Sequence, residues 1–162
     1  MAFELRRMTI GDLGQVMEIE REAFREPWPR QSFEQELLVL DASELTVAVS
    51  ENAVLGYTVA WYLDEDVHLA NVAVRRGFRE RGIGRALVEA VMDRAREAGA
   101  ERIVLEVRRS NVEAQKLYET LGFLATGVRK NYYRMEKEDA ILMTCHLRDV
   151  REGRGGRGGP IK

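Results

Sequence analysis

The stretch NVAVRRGFRERGIGRALVEA, residues 71–90, decides the fold of this chain. An apolar strand runs into a loop that contains Gly82 and Gly84, and a helix is predicted from about residue 83 to 98. The first backbone N–H groups of a helix have no internal partner, and the helix dipole is positive there. Glycines let the backbone approach an anion closely, and three arginines add positive charge nearby: Arg79, Arg81 and Arg85. The stretch therefore predicts a phosphate-binding loop.

Two common phosphate motifs do not fit this loop. A P-loop ends in Gly-Lys-Ser/Thr, where this chain has Gly84-Arg85-Ala86. A dinucleotide-binding loop needs a third glycine at the position of Leu87. An ordinary strand–helix connection stays open as the alternative, because two glycines alone are common in such loops.

Hydrophobic periodicity and turn residues predict the elements on either side of the loop. Residues 67–74 are almost continuously apolar, which is typical of a central strand buried on both faces. Ser32 is expected to cap the second helix, and Ser110 with Glu113 forms a candidate capping box. The expected strands cover about residues 3–7, 44–50, 54–63, 67–74, 102–107, 123–128 and 140–147, and the helices about 12–24, 32–40, 83–98 and 110–121. The order β-α-α-β-β-β-α-β-α-β-β predicts an α/β fold with a mixed sheet, in which the strand–helix–strand unit 67–107 is parallel.

Composition limits the classes of protein to which the chain can belong. It has 162 residues, a net charge of −2 and 45% hydrophobic residues, which indicates one globular domain and argues against bulk electrostatic binding to nucleic acid. Cys145 is the only cysteine, so a reducing cytoplasm is expected. We expect no signal peptide, membrane span or metal site, since His68 and His146 lack partners at metal-ligand spacing.

The loop and two later segments together resemble a known family. Arg79-x-x-Gly82-x-Gly84 after the strand Asn71–Val74 is similar to the coenzyme-A loop of the GNAT superfamily of N-acetyltransferases. The segments that narrow the match to its ribosomal-protein-alanine (RimI-type) subfamily are LEVRRSN at 105–111, LYETLGF at 117–123, NYY at 131–133 and EDAILM at 138–143. The resemblance covers roughly residues 3–148. It implies a mostly antiparallel sheet of about seven strands, with a central parallel pair splayed to hold acetyl-CoA, and about four helices.

The resemblance also implies roles for individual residues. Glu106 matches the family's acceptor of the substrate amine proton, acting through water, and burial in an apolar strand is expected to raise its pKa. Tyr118 matches the family's proton donor to the departing thiolate. Its phenol, with an ordinary pKa of about 10, carries the proton at neutral pH, where a thiol of pKa about 8.5 is nearer to ionisation. The implied cofactor-binding set is Val72, Ala73, Val74, Arg79, Glu80, Arg81, Gly82, Ile83, Gly84, Arg85, Asn111 and Tyr118.

Each role has a structural alternative. A lone strand glutamate usually faces solvent or forms a salt bridge, an aromatic at the spacing of Tyr118 usually packs in a core, and Asn111 can be an ordinary first-turn residue. Cys145 is a poor candidate for a covalent acetyl carrier, because no base accompanies it. No metal is expected; acetyl-CoA is the expected donor co-substrate.

The acceptor is less well determined. The resemblance implies direct transfer, in a ternary complex, to the N-terminal alanine of a small-subunit ribosomal protein. Tyr132 and Tyr133 resemble the family's peptide-groove tyrosines, and Trp28, between two prolines, is a further candidate acceptor contact; local packing is the alternative for all three. Open alternatives for the acceptor are a lysine side chain, other protein N-termini and a small-molecule amine. A non-catalytic acetyl-CoA sensor is disfavoured by the presence of Glu106, Asn111 and Tyr118.

The C-terminal segment has a different composition. Residues 1–149 are expected to form the acetyltransferase domain, and the Arg/Gly-rich residues 150–162 a disordered tail. Most such tails are solvated ends, although contact with RNA stays open as an alternative. We expect a monomer or weak dimer that does not bind membranes.

Overall fold

The computed structural model describes residues 2–147, and these form one seven-stranded sheet with four α-helices. The sheet order is β1-β2-β3-β4-β5-β7-β6. The strands are β1 (Glu4–Arg7), β2 (Ser43–Ser50), β3 (Ala53–Leu63), β4 (Asp66–Val74), β5 (Arg102–Arg108), β6 (Leu124–Tyr133) and β7 (Glu138–His146). The helices are α1 (Leu13–Ala23), α2 (Arg30–Leu38), α3 (Ile83–Glu97) and α4 (Val112–Thr120). The predicted element order and mixed sheet are confirmed. The predicted boundary at residue 149 and the predicted tail lie outside the described residues.

Strand pairing is antiparallel except at the centre of the sheet. β1–β2, β2–β3, β5–β7 and β6–β7 are antiparallel pairs. The pairing of β4 with β5 is parallel and joins Asp66–His68 to Arg102–Val104, although β4 continues to Val74 and β5 to Arg108. The predicted parallel pair is thus confirmed, and its splay stays a prediction.

The chain divides into two compact units. The first contains the residues up to Tyr62 together with Leu69–Val91, and its main core joins α1 and α2 to β2 and β3 through buried side chains such as Val16, Phe33 and Tyr57. The second contains Leu63–His68 together with residues 92–147. Its buried side chains include Ile103, Leu105, Phe123, Met143 and Cys145.

Local periodicity placed α1 and α3 correctly. In α1, the side chains of Leu13, Val16 and Ile19 are buried on one face, as an amphipathic helix requires. In α3, Ile83 and Leu87 are buried on the predicted inner face. Gly99, two residues after the end of α3, has φ +82°, the left-handed conformation that favours glycine at a helix end.

Two predictions about individual elements were wrong. Helix α2 begins at Arg30, not after Ser32, because the N–H of Ser32 already donates to the carbonyl of Pro29 at 2.9 Å and so belongs to the first turn. Strand β4 is not buried on both faces: Val67, Leu69, Asn71 and Ala73 are buried, but the intervening residues are half-buried.

The last two strands are longer than predicted. β6 continues through Tyr133 instead of ending near residue 128, because its pairing with β7 resumes at Tyr133↔Glu138 after an irregularity that follows Arg129. Tyr132 and Tyr133 therefore lie in an edge strand and not in a connecting loop. None of the helices in residues 2–147 is long and apolar enough to cross a membrane.

Candidate active site

The glycine loop of the first unit leads from β4 into the start of α3. Residues 79–82 are exposed, and α3 begins at Ile83, whose side chain is buried. Gly82 has φ +82°, a conformation that strains any other residue, and a Cβ added there would meet no atom within 4 Å. The backbone at Gly82 is therefore open to solvent beside the unpaired N–H groups of a helix start. This arrangement fits an anionic group held by backbone donors.

The three arginines of this loop have partners within the chain. Arg79 Nε donates to the carbonyl of Val74 at 3.0 Å. The guanidinium of Arg81 lies 5.3 Å from the ring centre of Phe78, and Arg85 pairs with Glu89 on the exposed side of α3 at 3.3 Å. Their charges still favour an anion at the loop.

The end of β4 leads into this loop. Ala73 is buried, whereas Val72 and Val74 are half-buried. On the neighbouring β3, a Cβ added to Gly56 would lie 2.8 Å from the carbonyl oxygen of Ala73 and 3.4 Å from the Cα of Val74. The absence of a side chain at Gly56 thus allows β3 to approach this backbone closely.

Glu106 lies in the second unit, on β5, between the buried residues Leu105 and Val107. Its side chain is 9% exposed, and His68 Nε2 lies 2.7 Å from its Oε1. Arg129 Nε lies 3.7 Å from the other oxygen, Oε2. The two oxygens of this carboxylate therefore face two different partners.

The predicted upward shift of the pKa of Glu106 was wrong. The hydrogen bond from His68 is the largest influence and holds the pKa of Glu106 below its ordinary value, although burial acts in the opposite direction. The charge of Arg129 also lowers it. The carboxylate is therefore ionised at neutral pH and can accept a proton.

His68 was missed as a site residue because its partner is 38 residues away in the sequence. The parallel register pairs His68 with Val104, so His68 and Glu106 lie on the same face of the sheet. Nothing in the local pattern around either residue gives that register.

Within residues 2–147, no three histidine, cysteine, aspartate or glutamate side chains come together as metal ligands.

Tyr118 is buried on α4, as its spacing predicted. Its ring lies 5.7 Å from that of Phe123, and burial raises the pKa of Tyr118 to about 12. The phenol is therefore protonated at all physiological pH values. It can donate a proton, but it also serves as a core residue of the second unit.

Asn111 has the helix-capping role that the sequence pattern predicted for Ser110. Its side-chain oxygen accepts the N–H of Ala114 at 3.1 Å, so Asn111 is the N-cap of α4. The prediction that Ser110 caps this helix was wrong, because the N-cap position is Asn111; the N–H of Ser110 donates to the carboxylate of Glu138 at 2.6 Å. A cofactor contact of Asn111 stays a prediction.

Tyr132 and Tyr133 form an edge-to-face pair, with ring centres 5.1 Å apart. Tyr132 is 44% exposed and lies below the guanidinium of Arg129, whereas Tyr133 contacts the guanidinium of Arg108. Burial raises the pKa of both phenols. Near Glu106, the second unit thus presents aromatic surface and two cations.

Trp28 is held in the first unit by a buried carboxylate. Its backbone N–H donates to Glu20 Oε2 at 2.8 Å, and Glu20 Oε1 accepts hydrogen bonds from the Tyr57 hydroxyl and from Asn71 Nδ2. The indole is half-buried and stacks on Trp61 at 6.3 Å. The structure thus assigns Trp28 a packing role, and acceptor contact stays a prediction.

The predicted residues therefore fall into two groups. The first unit carries the glycine loop, Val72–Val74 and Trp28, which together offer an anion site beside a strand end. The second unit carries Glu106, Tyr118, Asn111, Tyr132 and Tyr133, which offer an ionised carboxylate and a protonated phenol. These are a proton acceptor and a proton donor, as an acyl transfer to an amine needs.

Known proteins share both the sequence pattern and the fold. The model of the acetyltransferase (GNAT) family matches residues 13–123. The [ribosomal protein bS18]-alanine N-acetyltransferase of Escherichia coli strain K12 is 33% identical over 139 residues, which are 84% of this chain and 92% of that protein. The crystal structure of the ribosomal-protein-S18-alanine N-acetyltransferase from Escherichia coli superposes with a TM-score of 0.82 at 28% identity, covering 90% of this chain and 94% of that one. An Elizabethkingia anophelis GNAT family acetyltransferase with acetyl-CoA bound has the same fold, with a TM-score of 0.71 at 23% identity, covering 89% and 97%.

Proposed function

The chain belongs to the acetyltransferase (GNAT) family, and we propose that it transfers the acetyl group of acetyl-CoA to the N-terminal alanine of a small-subunit ribosomal protein in the cytoplasm. The observation that carries the proposal is the similarity, over most of both chains, to an Escherichia coli enzyme named for this reaction on bS18. Acetyl-CoA as donor is supported by its presence in a structure of the same fold.

The first unit supplies the residues that hold the donor. The backbone N–H groups at Gly82, Ile83 and Gly84 receive the pyrophosphate, and the arginines of the loop add positive charge. The backbone of Val72–Val74 pairs with the pantetheine arm. The exposed loop and the open space above Gly82 support this assignment. Bound there, acetyl-CoA supplies the activated acyl group.

Glu106 accepts the proton of the acceptor amine in this proposal. The hydrogen bond from His68 orients the carboxylate and keeps it ionised, so it is ready to take a proton directly or through a water molecule. An N-terminal amine has a pKa of about 8, compared with about 10.4 for lysine, and needs less help from a base of low pKa. The lowered pKa of Glu106 therefore favours an α-amine as acceptor.

Tyr118 gives a proton to the departing thiolate. Its raised pKa keeps the phenol protonated until the thiolate forms. Transfer is direct, within one complex of enzyme, acetyl-CoA and acceptor peptide. Asn111 is a further candidate contact to the coenzyme, while Tyr132, Tyr133 and Trp28 are candidate contacts to the peptide.

The proposal is tested with three acceptors under identical conditions: an alanine-starting peptide, the same peptide Nα-blocked with an internal lysine, and a small polyamine. We expect turnover of the first alone to be fast. A protein that ignores the alanine peptide and acetylates the lysine peptide or the polyamine would have a different acceptor.

The base assignment is tested by Glu106→Gln. General base catalysis contributes about 10²- to 10⁴-fold, so kcat should fall by that order. Glu113→Gln removes the same charge from the exposed surface of α4 and is the matched control. Equal activity of both variants would remove Glu106 from the mechanism.

A further inference from the structure

Arg129 projects from β6 towards the carboxylate that we propose as the base. Its Nε lies 3.7 Å from Glu106 Oε2, and its guanidinium lies 5.8 Å from the ring centre of Tyr132. The Arg129 side chain is 58% exposed. A long contact made by an exposed side chain is a weak ion pair that another cation can replace.

The other charged groups near Glu106 contact its second oxygen, Oε1, or are paired with other residues. His68 on β4 is bonded to the other oxygen, Oε1. Arg108, in β5 itself, is paired with Glu136 at 2.8 Å, so its charge is compensated locally. The carboxylate also interacts electrostatically with the phenols of Tyr132 and Tyr133 on β6.

An acceptor amine arrives mainly as an ammonium at neutral pH, because its pKa is about 8. If Glu106 takes its proton, the ammonium must come close to the carboxylate and therefore to Arg129. Two cations cannot share one carboxylate oxygen without mutual repulsion. The acceptor must then displace the guanidinium, which has solvent available on its exposed side.

We propose that Arg129 is a specificity-determining counter-ion, which occupies Glu106 Oε2 in the free enzyme and is exchanged there for the ammonium of the acceptor. The inference rests on the proposed role of Glu106. Arg129 weakens binding of the protonated amine, and this favours the neutral amine, which is the nucleophile. Acetylation removes the positive charge of the acceptor, so Arg129 can return to Glu106 as the product leaves.

We expect Arg129→Gln to have two coupled effects, one on the affinity for the acceptor and one on the pKa of its amine. Loss of a screened cation at this distance should tighten binding of a protonated α-amine by roughly threefold to tenfold. Binding of the neutral amine should change little. By linkage, the pKa of the bound amine should then rise by about 0.5 to 1, the logarithm of the same factor.

The experiment measures binding by calorimetry to protein saturated with CoA, which prevents turnover. The probes are an alanine-starting peptide and its Nα-acetylated form, at pH 6.5 and pH 9.5. For Arg129→Gln we expect tighter binding of the free-amine peptide at pH 6.5, a smaller change at pH 9.5, and unchanged binding of the acetylated peptide. The apparent amine pKa in the kcat profile should rise in the same variant.

Two variants serve as controls. Arg129→Lys keeps the charge and should resemble the parent. Lys130→Gln removes the same charge from the next position of β6 and should also resemble the parent. This control separates a long-range effect of charge from the direct contact between Arg129 and Glu106. The inference is overturned if Arg129→Gln fails to tighten the free-amine peptide, if it tightens both peptides equally, or if Lys130→Gln has the same effect. Failure of the parent to acetylate the alanine peptide would instead overturn the proposed function.

Discussion

Gly56→Ala tests whether the close approach of β3 to β4 matters for the part of β4 that we propose to bind acetyl-CoA. The added Cβ would lie 2.8 Å from the carbonyl oxygen of Ala73, 3.2 Å from Leu87 Cδ1 and 3.4 Å from the Cα of Val74. The side chain of Leu87 can turn away, but the backbone of β4 must move. Ala73 and Val74 are also two of the residues that we propose to pair with acetyl-CoA.

The magnitude follows from two opposing effects. Overpacking against backbone costs about 1–3 kcal/mol, and the lower entropy of the unfolded chain returns about 0.4–1 kcal/mol. The net loss is roughly 0–2.6 kcal/mol, with a midpoint of about 1.3 kcal/mol, and the midpoint should lower Tm by about 3–5 °C for a chain of this size. Binding of acetyl-CoA should weaken as well, because the displaced backbone belongs to its proposed site.

The assay compares thermal unfolding and the Kd of acetyl-CoA in Gly56→Ala and Gly14→Ala. Gly14 is exposed in α1, and a Cβ there would meet no atom within 4 Å, so this alanine should stabilise the helix by about 0.5–1 kcal/mol. The two substitutions should therefore shift Tm in opposite directions. An unchanged or higher Tm for Gly56→Ala would refute the close approach. A lower Tm with unchanged acetyl-CoA affinity would refute its link to the donor site.

Three further substitutions test single side chains. Tyr118→Phe should lower kcat by about 10²- to 10⁴-fold. Because burial raises the pKa of Tyr118 to about 12, the rate of the parent enzyme should not decline at about pH 10, where an ordinary phenol ionises. His68→Ala removes the largest cause of the lowered pKa of Glu106, so the acid limb of the kcat/KM profile should move to higher pH. As a control, substitution of the exposed His146 by alanine should leave the acid limb where it is. Tyr57→Phe takes one donor from a buried carboxylate and should lower the free energy of unfolding by about 1–3 kcal/mol in urea titrations.

Local signals predicted the element order, because periodicity, proline and glycine act over a few residues. The buried face of α3 and the helix end at Gly99 are examples. Several of the errors arose where a distant partner decides the outcome. The cap of α4 falls on Asn111, and the preceding N–H of Ser110 is engaged by Glu138 on β7, 28 residues away. The extent of β6 likewise depends on its pairing with β7.

The candidate site shows the same division. The glycine loop was visible because its glycines and the start of its helix are adjacent in sequence. The environment of Glu106 was not, because its partners His68 and Arg129 come from β4 and β6. Burial alone predicted a raised pKa, and the partner that reverses the direction is known only from the register of the parallel pair.

Glu20 and Glu106 are both glutamates with little exposed surface, yet their surroundings suit them to different tasks. Both oxygens of Glu20 are occupied: Tyr57 and Asn71 donate to one, and the N–H of Trp28 donates to the other. Such a carboxylate is fixed by neutral donors from three segments, and an incoming amine would have to break hydrogen bonds that hold the fold. Glu106 has one oxygen held by His68, and its other oxygen lies 3.7 Å from the exposed guanidinium of Arg129. A weak, replaceable partner at one oxygen is what a carboxylate needs to receive a substrate proton, and this difference supports the proposal that Glu106, rather than the more deeply buried Glu20, is the base.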